Sequence, residues 1–322
     1  MRQFAKPTIV VSKCLEFDAC RYNGEMIPDV TIRNLQPFVT FIPVCPEVEI
    51  GLGTPRETIR IVEENGENRL VQPSTREDVT EKMEQFSNDF LQTISDVDGF
   101  ILKNRSPSCG TRDVKIYSGF EKAPAKGKGA GLFGGAVVKK FSHLPIEEEG
   151  RLSNFIIREH FFTRLFTIAY YKMIKHNKNM KELVSFQSDN KYLFMAYNQV
   201  KQKELGRIIA NQKNEKIEVV FENYEKTLYE LFMRAPRYTS NVNVCEHIFG
   251  YFKTKLKKQE KDHFIELLQK YAEKKIPLSS LLTILKSWAI RFDEKYLLRQ
   301  TYFEPYPEEL VEISDSGKGR DY

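Results

Sequence analysis

The sequence predicts an α/β N-terminal domain with a parallel-type sheet, followed by an all-α C-terminal domain. Three observations carry this. First, three β-rich runs, Thr8–Ser12, Phe38–Val44 and Gly99–Leu102, each deliver a cysteine just past their C-terminal ends: Cys14, Cys45 and Cys109. Second, a helical pattern precedes the third run, which is the order of α/β units. Third, the chain from Leu152 onward reads as helix after helix. In an open parallel sheet, ligands sit outside the C-terminal ends of the strands. Three cysteines far apart in sequence can therefore meet at one site.

Composition sets the bounds. The chain has 322 residues, with 41% hydrophobic and 29% charged, the balance of an ordinary globular protein of about two domains. No apolar run approaches the roughly 20 residues a membrane span needs. The start, Met1 to Pro7, lacks the apolar stretch of an export signal, so the expected compartment is the cytoplasm. A net charge of +5 is compatible with a basic face for nucleic acid without requiring one. Five cysteines, an odd number with no export signal, argue against a disulfide framework.

Taken in order, Thr8–Ser12 is the first strand, and Asn23-Gly24 marks the turn in the loop behind Cys14. The spacing of Cys14 and Cys20 is not Cys-x-x-Cys and fits neither the usual zinc pattern nor a thioredoxin motif. After the second strand comes the Gly- and Pro-containing loop from Cys45 to Arg56, an irregular backbone able to approach a ligand closely. Thr58–Val62 and Asn68–Val71 read as a hairpin. Val79, Met83, Phe86, Phe90 and Ile94 recur at helical steps, predicting a helix over 75–94 capped by Thr75 with Asp78. Val114–Tyr117 is a further strand. The Gly-rich basic stretch 126–135 reads as a phosphate cradle or as a flexible loop. It lacks the Lys-Ser/Thr pair of a nucleotide-binding loop. Glu147 to Glu149 suit a helix start, and a connecting helix follows from Leu152 to Lys178. Segments 184–210, 221–233, 242–258, 264–274 and 278–292 are the predicted helices of the second half.

The cysteines bear the chemistry. Cys245, inside a predicted helix, reads as a buried small hydrophobe. Cys14, Cys45 and Cys109 are as consistent with a shared metal or cluster site as with three buried thiols, and Cys20 is a fourth ligand or a bystander. Thiolates select zinc and iron–sulfur clusters. Three ligands with no histidine nearby leave one position open. On zinc this resembles a catalytic site; on a cubane cluster it leaves one iron as a Lewis acid for a soft sulfur atom.

The polar neighbours have two readings each. Glu47 is a general base for water or a solvated loop carboxylate. Ser106 and Ser108, on either side of Pro107, are proton donors or turn residues. Lys103 and Arg105 add positive charge for an anion. Arg56 pairs with an acidic neighbour or reaches a phosphate. The five histidines show no metal-ligand spacing and read as structural or surface residues. Lys253, Lys255, Lys257, Lys258 and Lys261 follow Tyr251-Phe252, with Arg234, Arg237 and Tyr238 ahead of them. Basic residues among aromatics suit an RNA backbone and unstacked bases. The interleaved Glu260 and Asp262 also suit a solvated helix face.

Ser12-Lys13-Cys14-Leu15, Arg21-Tyr22-Asn23-Gly24, Cys45-Pro46-Glu47, Gly51-Leu52-Gly53-Thr54-Pro55-Arg56 and the run Leu102 to Gly110 together resemble the thiouracil desulfidase family. Glu204-Leu205-Gly206-Arg207, the run His247 to Lys253 and Tyr302 to Pro307 resemble the helical domain often fused to it, as in tRNA 4-thiouridine desulfidases. The resemblance implies a 4Fe-4S cluster held by Cys14, Cys45 and Cys109 with one open iron. It places the catalytic pair on Glu47 and Ser106. Ser12, Lys103, Arg105 and Ser108 are further candidates for substrate contact. The implied reaction converts 4-thiouridine in tRNA to uridine by non-redox exchange of sulfur for oxygen, with sulfide released. Alternatives are desulfuration of free thiouracil or thionucleosides, and a non-enzymatic metal-containing RNA-binding protein. Two departures stand out: Cys14-Leu15-Glu16-Phe17 replaces the family's Cys-Leu-Leu-Gly, and Arg237-Tyr238-Thr239 replaces Arg-His-Thr. The expected division is a desulfidase domain over 1–145, a connecting helix over 146–183, a helical RNA-binding domain over 184–310 and a flexible tail over 311–322. Partners are then tRNA or a thiolated nucleobase, with no membrane, and monomer and homodimer are both open.

Overall fold

A computed structural model describes residues 2–94, 96–120, 124–211 and 214–312. Most of the expected tail, from residue 313 on, lies outside the described residues. The chain falls into two compact units: residues up to Ala169 joined by Glu309 onward, and Tyr170–Glu308.

The first unit runs β1 (Thr8–Ser12), α1 (Val30–Leu35), β2 (Thr40–Val44), α2 (Pro46–Glu49), β3 (Arg60–Glu64), β4 (Glu67–Gln72), β5 (Glu77–Asp78), α3 (Thr80–Thr93), β6 (Gly99–Leu102), β7 (Val114–Tyr117), β8 (Ala125–Gly129), α4 (Leu132–Phe141), β9 (Ile146–Glu148), α5 (Glu149–Leu152) and the start of α6 (Phe155–Asn177). Strands β2-β1-β6-β9 form one sheet, parallel throughout, as the sequence predicts. Val10 of β1 faces Ile42 on one side and Phe100 on the other. All four residues of β6 are buried, the pattern of a strand covered on both faces. Phe100 packs on Phe141 of α4, with ring centres 5.1 Å apart. Its neighbour Gly99 turns the other way, and there a Cβ would stand 3.1 Å from Leu165 of α6. The sheet thus lies between helices.

Strands β5-β4-β3-β7-β8 form a second, mixed sheet. Its β3–β4 hairpin turns at Asn65 and Gly66, both at positive φ, the geometry that matches strand twist. Three local expectations are corrected here. The helix predicted from Thr75 begins at Thr80, because Glu77–Asp78 pairs with β4 as β5. The Thr75 hydroxyl bonds Gln72 and caps nothing. The acidic run predicted to open a helix is divided: Glu147 and Glu148 lie in β9, paired with β6, and Glu149 opens α5 as expected.

The second unit is helical: α7 (Met180–Asp189), α8 (Lys191–Tyr197), α9 (Gln199–Ala210), α10 (Ile217–Leu231), α11 (Tyr238–Gly250), α12 (Lys258–Ala272), α13 (Leu278–Arg291) and α14 (Lys295–Leu298). The single helix predicted over 184–210 is three, interrupted at Asn190 and Asn198. Asn198 is extended, and its side chain accepts from the N–H groups of Val200 and Lys201, a helix cap. The core is aromatic: Trp288 packs on Phe249, Phe252 and Phe264. No helix among the described residues is long and apolar enough to cross a membrane.

Candidate functional site

The three adjacent parallel strands β2, β1 and β6 end side by side. Cys14 stands two residues past β1, and Cys45 directly after β2. Cys109 is seven residues past β6, at the end of a folded loop. That loop is held from beneath by the start of α4. The backbone N–H of Gly131 donates to the Gly110 carbonyl (2.7 Å), that of Leu132 to Pro107 (3.2 Å) and that of Gly134 to Ser108 (2.9 Å). A Cβ at Gly134 would overlap the carbonyl oxygens of Cys109 and Gly110. The Gly-rich stretch is therefore no phosphate cradle: its free N–H groups are spent on the cysteine loop, and its glycines admit the close approach.

A second brace comes from β9 and α5. The Glu148 carboxylate, buried, accepts from the Thr111 N–H (2.7 Å) and hydroxyl (3.0 Å). Glu149 accepts from the Asn104 N–H (2.7 Å) and from the Lys103 ammonium. The sequence displayed this acidic run, but only strand pairing brings it to the loop.

The thiols share an environment. Burial first, and then Cys45, push the Cys14 thiol up to about 12, opposed by Lys103. Cys109 is raised above the ordinary thiol range, chiefly by burial and also by Glu47, Cys45 and Cys14, while a hydrogen bond from Ser12 works the other way. Cys20 is pushed up to about 12 by burial, then by the charge of and a hydrogen bond with Cys45. The Cys45 sulfur lies 3.9 Å from the Cys20 carbonyl. Among the described residues, no three His, Cys, Asp or Glu gather as a single-ion site.

Glu47 is the hub of the polar groups. Its Oε2 accepts from Arg56 through Nε (2.9 Å) and Nη2. Its Oε1 accepts from the Ser108 hydroxyl at 2.9 Å, with Ser106 at 3.4 Å. The Ser106 oxygen accepts from the N–H groups of Ser108 (3.2 Å) and Cys109 (3.1 Å), and its own proton goes to Glu47. Ser108 is fully buried against Glu47, and Arg105 is exposed. Ser12, also buried, accepts from the Lys103 N–H at 2.8 Å and ties the ends of β1 and β6 together. Burial disfavours the Arg56 charge, yet Glu47 more than offsets this and raises the guanidinium pKa. Of the two sequence readings of Arg56, the acidic partner is realised.

In the helical unit, Cys245 is buried with its sulfur 3.9 Å from the Tyr302 hydroxyl, as expected for a packed thiol. Lys253 lies over Phe249 and Lys274 over Tyr238, at 5.7 and 5.3 Å. Lys255 pairs with Glu294, and Glu260 with Arg291.

Comparison with known proteins divides the chain in two. Residues 9–149 match the family described as 2-thiouracil desulfurase. Residues 191–307 match a family described as a protein of unknown function, DUF1722. The uncharacterized protein YbbK of Bacillus subtilis (strain 168) is 36% identical over 118 residues, which is 34% of this chain and 77% of the relative. The uncharacterized protein YbgA of Escherichia coli (strain K12) is 22% identical over 156 residues, 48% of this chain and 92% of the relative. A solved structure described as a 4Fe-4S-dependent thiouracil desulfidase, TudS, has 25% sequence identity and a TM-score of 0.37, covering 46% of this chain and 93% of its own.

Proposed function

The chain belongs to the 2-thiouracil desulfurase family, and from that premise we propose that it is an iron–sulfur-dependent desulfidase acting on 4-thiouridine in tRNA. The observation that carries this reading is the gathering of Cys14, Cys45 and Cys109 within one another's electrostatic reach, beside a carboxylate that shares the Cys109 loop. The donor set fits a 4Fe-4S cluster. It is three sulfurs with no histidine, and a bound polycation relieves the mutual repulsion of the thiolates. A cluster also takes one ligand per iron, so its cysteines need not converge on one point.

Cys14, Cys45 and Cys109 would hold such a cluster, which would supply Lewis-acid activation of a soft thiocarbonyl group. The remaining work falls to side chains. Glu47, through Oε1, takes a proton from the attacking water. Ser106, whose hydroxyl donates to Glu47 Oε1 at 3.4 Å here, turns that hydrogen bond to the bound substrate and keeps its proton. Water supplies the oxygen of the new carbonyl, and the sulfur departs as sulfide with the protons lost by that water. No electrons change hands. Ser108 and Ser12 act as braces of Glu47 and Cys109, and Lys103 supplies a fixed positive charge beside Cys14.

We place this chemistry in residues 1–145 and tRNA engagement in 184–310. Exposed Lys253, Lys257 and Lys258 near the exposed Tyr251 support the second assignment. The test is the full chain purified without air. Near-equal iron and acid-labile sulfide, with the thiouridine chromophore of tRNA lost as sulfide appears, is the expected result. Turnover of free 2-thiouracil but not of tRNA would move the substrate to the free base. An intact cluster that leaves both untouched would replace the enzyme with a binding protein.

A further inference from the structure

Every donor group of the Arg56 guanidinium is turned inward at this site. Its side chain is 4% exposed, against 13% for Glu47. Nε and Nη2 both fall on the single oxygen Oε2 of Glu47. Nη1 reaches the carbonyls of Cys20 (3.0 Å) and Gly53 (2.8 Å). The Cys20 carbonyl is also the group that the Cys45 sulfur approaches. One planar guanidinium therefore spans the carboxylate and the backbone beside a cysteine ligand. Because both contacts to Glu47 are to Oε2, the rotation of the carboxylate is set, and Oε1 faces the Ser106–Ser108 loop.

A surface ion pair would do little of this. A buried pair with a five-donor planar group orients its partner, which a flexible point charge such as lysine does not. We propose that Arg56 is a positioning residue for desulfuration, holding Glu47 so that the oxygen facing the two serines receives the proton of the attacking water. The inference rests on the reading of Glu47 given above.

The experiment is a double-mutant cycle in the full chain with its cluster loaded: Glu47→Gln, Arg56→Gln, both together, and Arg56→Lys, with 4-thiouridine-containing tRNA as substrate. Iron and acid-labile sulfide per chain, the thermal midpoint, kcat and KM are read for each. The expected Arg56→Gln protein keeps wild-type iron and sulfide, loses roughly 30- to 100-fold in kcat and changes little in KM. Arg56→Lys recovers only part of the loss. In the Glu47→Gln background, removing Arg56 costs nothing further, because the group it positions is gone. An equal additional loss in that background would make Arg56 a brace of the fold and overturn the proposal. So would loss of the cluster with unchanged turnover per cluster. If Arg56→Gln does not fold, Arg56→Lys decides: wild-type kcat in a fully loaded protein refutes the positioning role. Full turnover in Glu47→Gln alone instead removes the reading of Glu47 itself, an outcome distinct from failure of Arg56.

Discussion

Cysteines in the two units meet opposite fates. Cys245 in the helical unit and Cys14 in the α/β unit both have thiols pushed up to about 12, and burial is the leading cause in each. Around Cys245 the neighbours are a core of aromatic rings and the Tyr302 hydroxyl, and that hydroxyl is already bonded to Asn241 at 2.9 Å. Around Cys14 the neighbours are Cys45, Lys103, Glu47 and Glu149. Burial alone therefore says little about a cysteine's use; the company it keeps separates a packing residue from a candidate ligand. The buried polar groups divide the same way. In the helical unit they close on one another, Tyr224 on Gln187 at 2.6 Å and Asn241 on Tyr271 at 3.1 Å. In the α/β unit, Ser12, Ser108, Glu148 and Glu149 close on the loops that carry thiols.

The comparison is broken most directly at the cysteines. Cys109→Ser is expected to abolish bound iron, while Cys245→Ala leaves iron and sulfide per chain at the wild-type value. Loss of iron in both, in folded protein, would erase the distinction. Next in size are two glycines. Gly134→Ala forces a methyl against the carbonyls of the Cys109 loop, an overpacking cost of about 1–3 kcal/mol, with reduced cluster loading. Gly206→Ala, inside α9 with open space around it, is expected to stabilise by about 0.5–1 kcal/mol. Thermal melts of both variants decide the matter, and equal effects would mean that α4 does not support the loop.

The last prediction is a pH dependence in the α/β unit. His160, desolvated by burial and placed near Arg164, is held down to about 3. The unfolded chain thus binds a proton near pH 6.5 that the folded one refuses, and stability falls as pH drops from there toward 3. The slope approaches about 1.4 kcal/mol per pH unit at its steepest. His160→Gln should flatten the fall in melting temperature between pH 7 and pH 5. A wild-type slope in that variant would assign the acid lability elsewhere.

Much of the site was legible early because it is local. Apolar strand, break, then cysteine can be read three times in the first 110 residues, and Glu47 and Ser106 lie within three residues of a cysteine. Arg56 is legible only as a choice between two partners, and of the acidic run only Glu149 opens a helix, Glu147 and Glu148 pairing as a strand. Periodicity located helices better than their ends. Thr75 and Asp78 have the composition of a cap, yet pairing of Glu77–Asp78 with β4 prevailed.

By itself, the sequence determined the fold class, the helical nature of the second half and the residue types of the site, since each follows from neighbours within a turn or a strand. Tertiary structure alone decided three things. It made Ile146–Glu148 a fourth parallel strand. It put the N-terminus of α4 beneath the Cys109 loop. It aimed Arg56 at one oxygen of Glu47. A three-residue strand, a helix end and a buried ion pair have no stable form in isolation. Each gains its hydrogen bonds only when partners from elsewhere in the chain are held in place.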